Sequence, residues 1–115
     1  MSSMFQAALS FKGNGVSAWN TSSVTTTCQL FEEAASFVGD VSLWQLSNVR
    51  DMSVMFQYAS SFNTDISQWD VANVTNFRYM FAGATSYNRD MSNWDVEQAT
   101  ILVGMVCIAY ACVST

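Results

Sequence analysis

Asp40, Asp65 and Asp90 recur at a constant step of 25 residues. Carboxylates repeated in this way would stack about 5 Å apart if successive segments lie side by side, with a repulsion of about 0.8 kcal/mol per pair even in water. Two chemistries would offset that repulsion. Each aspartate can close an Asx turn on its own backbone N–H groups, beside Asn63 or Asn88, or the column can share calcium, which takes oxygen ligands alone. Asp70 and Asp95, each following a tryptophan, form a shorter column with the same two readings.

Other reactive residues are sparse. The chain has no histidine, and so lacks the commonest general base and the commonest metal ligand. Its three cysteines, Cys28, Cys107 and Cys112, lack the C-x-x-C spacing of a zinc or redox site. Cys112 stands in a column otherwise held by aromatic residues and reads as a small buried hydrophobe, with a Cys107–Cys112 disulfide as the alternative. Cys28 falls in an outward column with Ser53, Arg78 and Val103. Asn20-Thr21-Ser22 and Asn73-Val74-Thr75 fit the N-glycosylation acceptor pattern, which matters only in a secreted chain; otherwise both are turn asparagines. No nucleophile is paired with a base and no glycine loop cradles phosphate, so the expectation is a protein without catalytic residues, cofactor or resident metal.

The elements that position these residues follow from the same step. The four tryptophans, Trp19, Trp44, Trp69 and Trp94, are each 25 residues apart. Val16, Val41, Ile66 and Met91 precede them by three, and Val24, Val49, Val74 and Ala99 follow by five. Further columns run through Leu30, Met55, Met80 and Met105, then Phe31, Phe56 and Phe81, then Ala34, Ala59 and Ala84, then Phe37, Phe62 and Tyr87. Met4, Phe5, Ala8 and Phe11 begin the same columns, displaced by one residue inserted in the turn Lys12-Gly13-Asn14-Gly15. Repetition at such a period marks stacked units, none of which buries its apolar face alone. Alternation in Ile66–Trp69 and Val74–Phe77 predicts short strands, and the spacing Met80, Phe81, Ala84, Tyr87 predicts a turn or two of α or 3₁₀ helix. The fold class expected is therefore an α/β repeat solenoid of short parallel strands and short helical turns, about four and a half coils of 25 residues.

Within one unit the motif is specific. Phe62-Asn63-Thr64-Asp65-Ile66-Ser67-Gln68-Trp69-Asp70-Val71-Ala72-Asn73-Val74-Thr75-Asn76-Phe77-Arg78-Tyr79-Met80-Phe81 resembles the repeat of the BspA-like leucine-rich-repeat surface proteins, F-N-x-D-I-S-x-W-D-V-S-N-V-T-x-M-x-x-M-F. The pattern returns in 37–56 and 87–95 and more loosely in 11–31. The resemblance implies a right-handed, leucine-rich-repeat-like solenoid found on cell surfaces or outside cells, which adheres to or binds other proteins and carries no catalytic residues.

Composition narrows the partners. Of 115 residues only 11% are charged, with a net charge of −5, which leaves no basic footprint for nucleic acid. The tryptophans read as core. Tyr58 and Tyr79 fall between inward columns and, with Val54 and Arg78, form an outward surface of the composition that interface centres favour.

The two ends depart from the pattern. Met1-Ser2-Ser3-Met4-Phe5 matches the middle of a unit, with no signal peptide ahead of it, so the chain reads as a fragment or as one beginning on an open end. Residues 1–98 form the repeat region, and 99–115 a divergent apolar coil packed on it. Residues 101–113 carry no charge, and Val103, Cys107, Ile108 and Tyr110 replace residues that are polar in earlier units. That coil is either a terminal cap or a contact surface for a protein or membrane assembly, and is too short to span a bilayer. Two roles follow: a non-catalytic, adhesion-type protein-interaction module at the cell surface, or a small subunit docked through residues 101–113 into a larger, membrane-bound assembly. The oligomeric state is not specified by the pattern.

Overall fold

Half of the backbone N–H groups in the 52–59 stretch reach across to the next repeat, and the other half turn back on their own chain. Met52, Val54, Phe56 and Tyr58 donate to the carbonyls of Asn76, Arg78, Met80 and Ala82 at 2.8–2.9 Å. Between them, Met55, Gln57 and Ala59 donate to the carbonyls three residues earlier, Met52, Val54 and Phe56. The same division recurs one repeat earlier, where Thr27, Gln29, Phe31 and Glu33 reach Asp51, Ser53, Met55 and Gln57, and one repeat later, where Phe77, Tyr79 and Phe81 reach Ile101, Val103 and Met105.

These observations come from a computed structural model that describes residues 1–108 and 111–113. Among them there is no α-helix; one 3₁₀ turn spans Val16–Ala18, and two strands, β1 (Val106–Ile108) and β2 (Ala111–Val113), pair antiparallel with each other. The α/β leucine-rich-repeat-like solenoid of parallel strands and helical turns does not describe this molecule. The rest is turn and irregular backbone, and the dimensions, 35 × 34 × 22 Å with a radius of gyration of 12.7 Å, are those of a compact body of this length. Among the described residues, parallel pairing is confined to the isolated bridges Thr26↔Asp51, Asp51↔Asn76 and Asn76↔Ile101.

The cause is local. Continuous strands need every second N–H and C=O on each side to face a neighbour, whereas here the alternate N–H groups are consumed by tight turns. Left-handed residues separated by four enforce those turns: Gln29 and Glu33, Val54 and Tyr58, Tyr79 and Gly83. They also prevent a helix over Met80–Tyr87, since a left-handed residue every four reverses the handedness a helix must keep.

The 25-residue spacing survives as a register of side chains. Phe5, Phe31, Phe56 and Phe81 stack at centroid separations of 5.7–5.8 Å, and Phe11, Phe37, Phe62 and Tyr87 at 5.8–5.9 Å. The two columns lean on each other, with Phe56 and Phe62 only 3.9 Å apart. Trp44, Trp69 and Trp94 are buried beside them, and each indole N–H donates to a carbonyl 28 residues earlier, that of Val16, Val41 and Ile66 respectively. An aromatic residue buries about 150–250 Å², and stacked pairs add about 0.5–1.5 kcal/mol beyond that area, so these columns dominate the core.

Candidate functional site

The left-handed residues place the outward side chains. Because Val54 and Tyr58, and then Tyr79, adopt φ of 61°, 58° and 52°, their side chains leave the turns on the side opposite the aromatic core. At the corresponding positions of the following repeat stand Gly83 and Gly104, also left-handed. A side-chain carbon on Gly83 would collide with Cδ1 and Cε1 of Tyr58, and one on Gly104 with the same atoms of Tyr79. Both tyrosine rings therefore lie directly against the backbone of the next repeat.

Tyr58 keeps 56% of its surface exposed. The Arg78 guanidinium stands 5.1 Å from the centre of the Tyr79 ring, a cation–π contact on the surface. Val54 donates its N–H to the Arg78 carbonyl and Tyr79 donates to that of Val103, whose side chain is also exposed. The structure thus brings Val54, Tyr58, Arg78, Tyr79 and Val103 onto adjoining segments. Tyr110 lies outside the described residues; Cys107 and Ile108 lie in β1, where Cys107 is opposite Cys112.

The aspartate column lies elsewhere. Asp40 accepts the backbone N–H and hydroxyl of Ser42, Asp65 accepts the N–H of Ser67, and Asp90 that of Ser92. The Ser42 hydroxyl, then its backbone N–H, hold Asp40 below the usual carboxylate range; backbone N–H groups of Ser67 and Ser92 do the same first for Asp65 and Asp90. Asp70 and Asp95 close the same turn on Ala72 and Glu97. The Asx turn is formed at every position of the column, and among the described residues no three acidic or cysteine side chains converge as metal ligands would.

Asn20 uses its side-chain oxygen on the N–H and hydroxyl of Ser22, while the Asn73 amide donates to the Ser47 carbonyl at 2.7 Å; both residues are exposed. Cys28 is half-buried and accepts the Ser53 hydroxyl at 3.3 Å.

Sequence reasoning passed over a shallow polar cleft of about 520 Å³ between the aspartate turns, lined by Asp40, Ser42, Asn63, Thr64, Asp65 and Arg89 among others. Arg89 anchors it by donating from Nε to the Asn63 carbonyl at 2.9 Å. Beneath the repeats Tyr87 is buried, and its hydroxyl has no partner among the described residues; burial first, and then Asp65, push its phenol pKa upward. The glycines under the tyrosines were also missed, although Gly83 and Gly104, standing one step after Tyr58 and Tyr79, were the available signal.

A family model matches residues 1–114. The chain belongs to the family described as "Mycoplasma protein of unknown function, DUF285". No curated protein and no solved structure matches this DUF285 chain. Among its described residues no helix is long and apolar enough to cross a membrane.

Proposed function

We propose that this DUF285 chain is a non-catalytic protein-interaction module of the cell-surface, adhesion type, and that it binds a protein partner through Val54, Tyr58, Arg78 and Tyr79. The finer kinship, to BspA-like surface proteins, rests on the motif of residues 62–81. One observation carries the binding reading: the tyrosine rings are braced on Gly83 and Gly104, so they offer aromatic surface whose ordering cost is already met within the fold. Tyrosine and arginine are the residues that interface centres favour.

A second reading places the chain as a small subunit docked into a larger, membrane-bound assembly through residues 101–113, and exposed Ile101 and Val103 support it. Binding of the labelled chain to cultured animal cells, before and after the cells are treated with trypsin, separates the two. The first reading expects saturable, trypsin-sensitive binding that falls about tenfold or more in Tyr58→Ser/Tyr79→Ser. Binding that survives this double substitution and is lost in Ile101→Ser/Val103→Ser contradicts it and supports the second; no binding at all contradicts the adhesion role.

A further inference from the structure

The inter-repeat hydrogen bonds of one stretch have a polarity. Val38, Arg50, Thr75 and Thr100 donate back to Lys12, Thr25, Arg50 and Thr75. In the stretches 3–7, 27–33, 52–58 and 77–81, however, each repeat donates N–H groups to the one that follows it, and Ser3, Phe5 and Ala7 donate to Cys28, Leu30 and Glu32 at 2.7–3.0 Å. The edge built by residues 1–24 therefore presents acceptors: the carbonyls of Ser2, Met4 and Gln6 stand at the positions of Cys28, Leu30 and Glu32, and no described residue donates to them.

Three further features mark that edge. Trp44, Trp69 and Trp94 give their indole N–H groups to Val16, Val41 and Ile66, whereas that of Trp19 has no acceptor among the described residues. The aromatic columns end on Phe5, Phe11 and Trp19, which are only half-buried, while at the other end Phe81, Tyr87 and Trp94 are covered. Beside them Met4 and Leu9 are exposed, and Met1, Met4, Trp19, Asn20 and Val24 line a groove of about 420 Å³.

We infer that this edge docks a polypeptide segment with the same 25-residue pattern, independently of the tyrosine face. The edge itself selects the occupant. Another copy meeting it edge to edge would set carbonyls against carbonyls, and the copy's opposite end is already covered at Tyr87 and Trp94. A lipid surface would leave the row of carbonyls without donors in hydrocarbon. A segment of the repeat pattern supplies an N–H at every second residue, an aromatic side chain for each column, and a carbonyl for Trp19. Residues 51–75 supply all three to their neighbour, through Met52, Val54, Phe56 and Tyr58, through Phe56, Phe62 and Trp69, and through the Ile66 carbonyl.

The experiment places a second copy of residues 51–76, which ends one position before the counterpart of Met1, ahead of Met1 in the full chain, with a scrambled segment of the same composition as control. Exchange of the Trp19 indole proton, followed by NMR, slows by about tenfold or more to join Trp44, Trp69 and Trp94 in the unscrambled variant, and its urea midpoint rises above the control. Trp19 exchange identical in both variants overturns the inference. So does a parent chain that is already dimeric by light scattering and becomes monomeric in Met4→Asp, because a second copy then covers the edge.

Discussion

The Tyr58 ring lies on Gly83 so closely that any side chain at 83 would strike Cδ1 and Cε1 of the ring. Gly83 also has φ of 71°, so the position excludes side chains on two counts. The pair joins consecutive repeats on the outside as the phenylalanine columns join them on the inside. Gly83→Ala is expected to cost about 1–3 kcal/mol, from left-handed strain together with a displaced ring. Urea denaturation reads the loss, and a neutral substitution would mean that the ring is not held there.

Val54 is a β-branched residue held at φ 61°, a conformation that costs an ordinary L-residue about 1–2 kcal/mol. Its side chain is outward and only half-buried, so little packing is lost on removing it. Val54→Gly is accordingly expected to raise the urea midpoint or leave it unchanged, where a glycine placed in an ordinary strand would lower it.

Trp69 donates its indole N–H to the Val41 carbonyl at 2.8 Å within the core. Trp69→Phe keeps an aromatic ring in the column but removes that bond, leaving the Val41 carbonyl with the Trp44 N–H alone, at an expected cost of about 0.5–1.5 kcal/mol plus the lost area. Trp19 makes no such bond among the described residues and is half-buried, so Trp19→Phe is expected to cost clearly less. Paired denaturation curves for the two variants check the order.

Asp40, Asp65 and Asp90 are held below the usual carboxylate range by the serines two residues on. A depressed folded-state pKa contributes stability that is present above the unfolded carboxylate value of about 3.9 and is lost as pH falls through the lower folded value. Urea midpoints measured between pH 6 and pH 2 should therefore fall at the acid end. Replacing all three by asparagine, which can still close an Asx turn, should flatten that fall.

The core was legible because a fixed step copies one inward pattern into each repeat, so Phe31, Phe56 and Phe81 declare themselves without knowledge of the backbone path. The Asx turns were legible as one of two readings, because an aspartate can accept the backbone N–H two residues on whatever side chain stands there, as Asp70 and Asp95 do with Ala72 and Glu97. The fold class was misread for a physical reason. Alternation in Val74–Phe77 is what a strand requires, but turns of alternating handedness also send successive side chains to opposite sides. Only the left-handed backbone at Gln29, Val54 and Tyr79 distinguishes the two, and none of those residue types announces it. The Trp69–Val41 bond was hidden because a carbonyl acceptor has no side-chain signature.

The Tyr58 and Tyr79 rings are braced against the next repeat, and the Hα chemical shifts of Gly83 and Gly104 test that placement most directly. Protons lying over an aromatic face move upfield, so both glycines are expected to resonate well upfield of other glycines in the chain. Tyr58→Ser should return Gly83 alone to its ordinary position, and Tyr79→Ser should do the same for Gly104 alone. Ordinary shifts at both glycines in the unmodified chain, unmoved by either substitution, would contradict it.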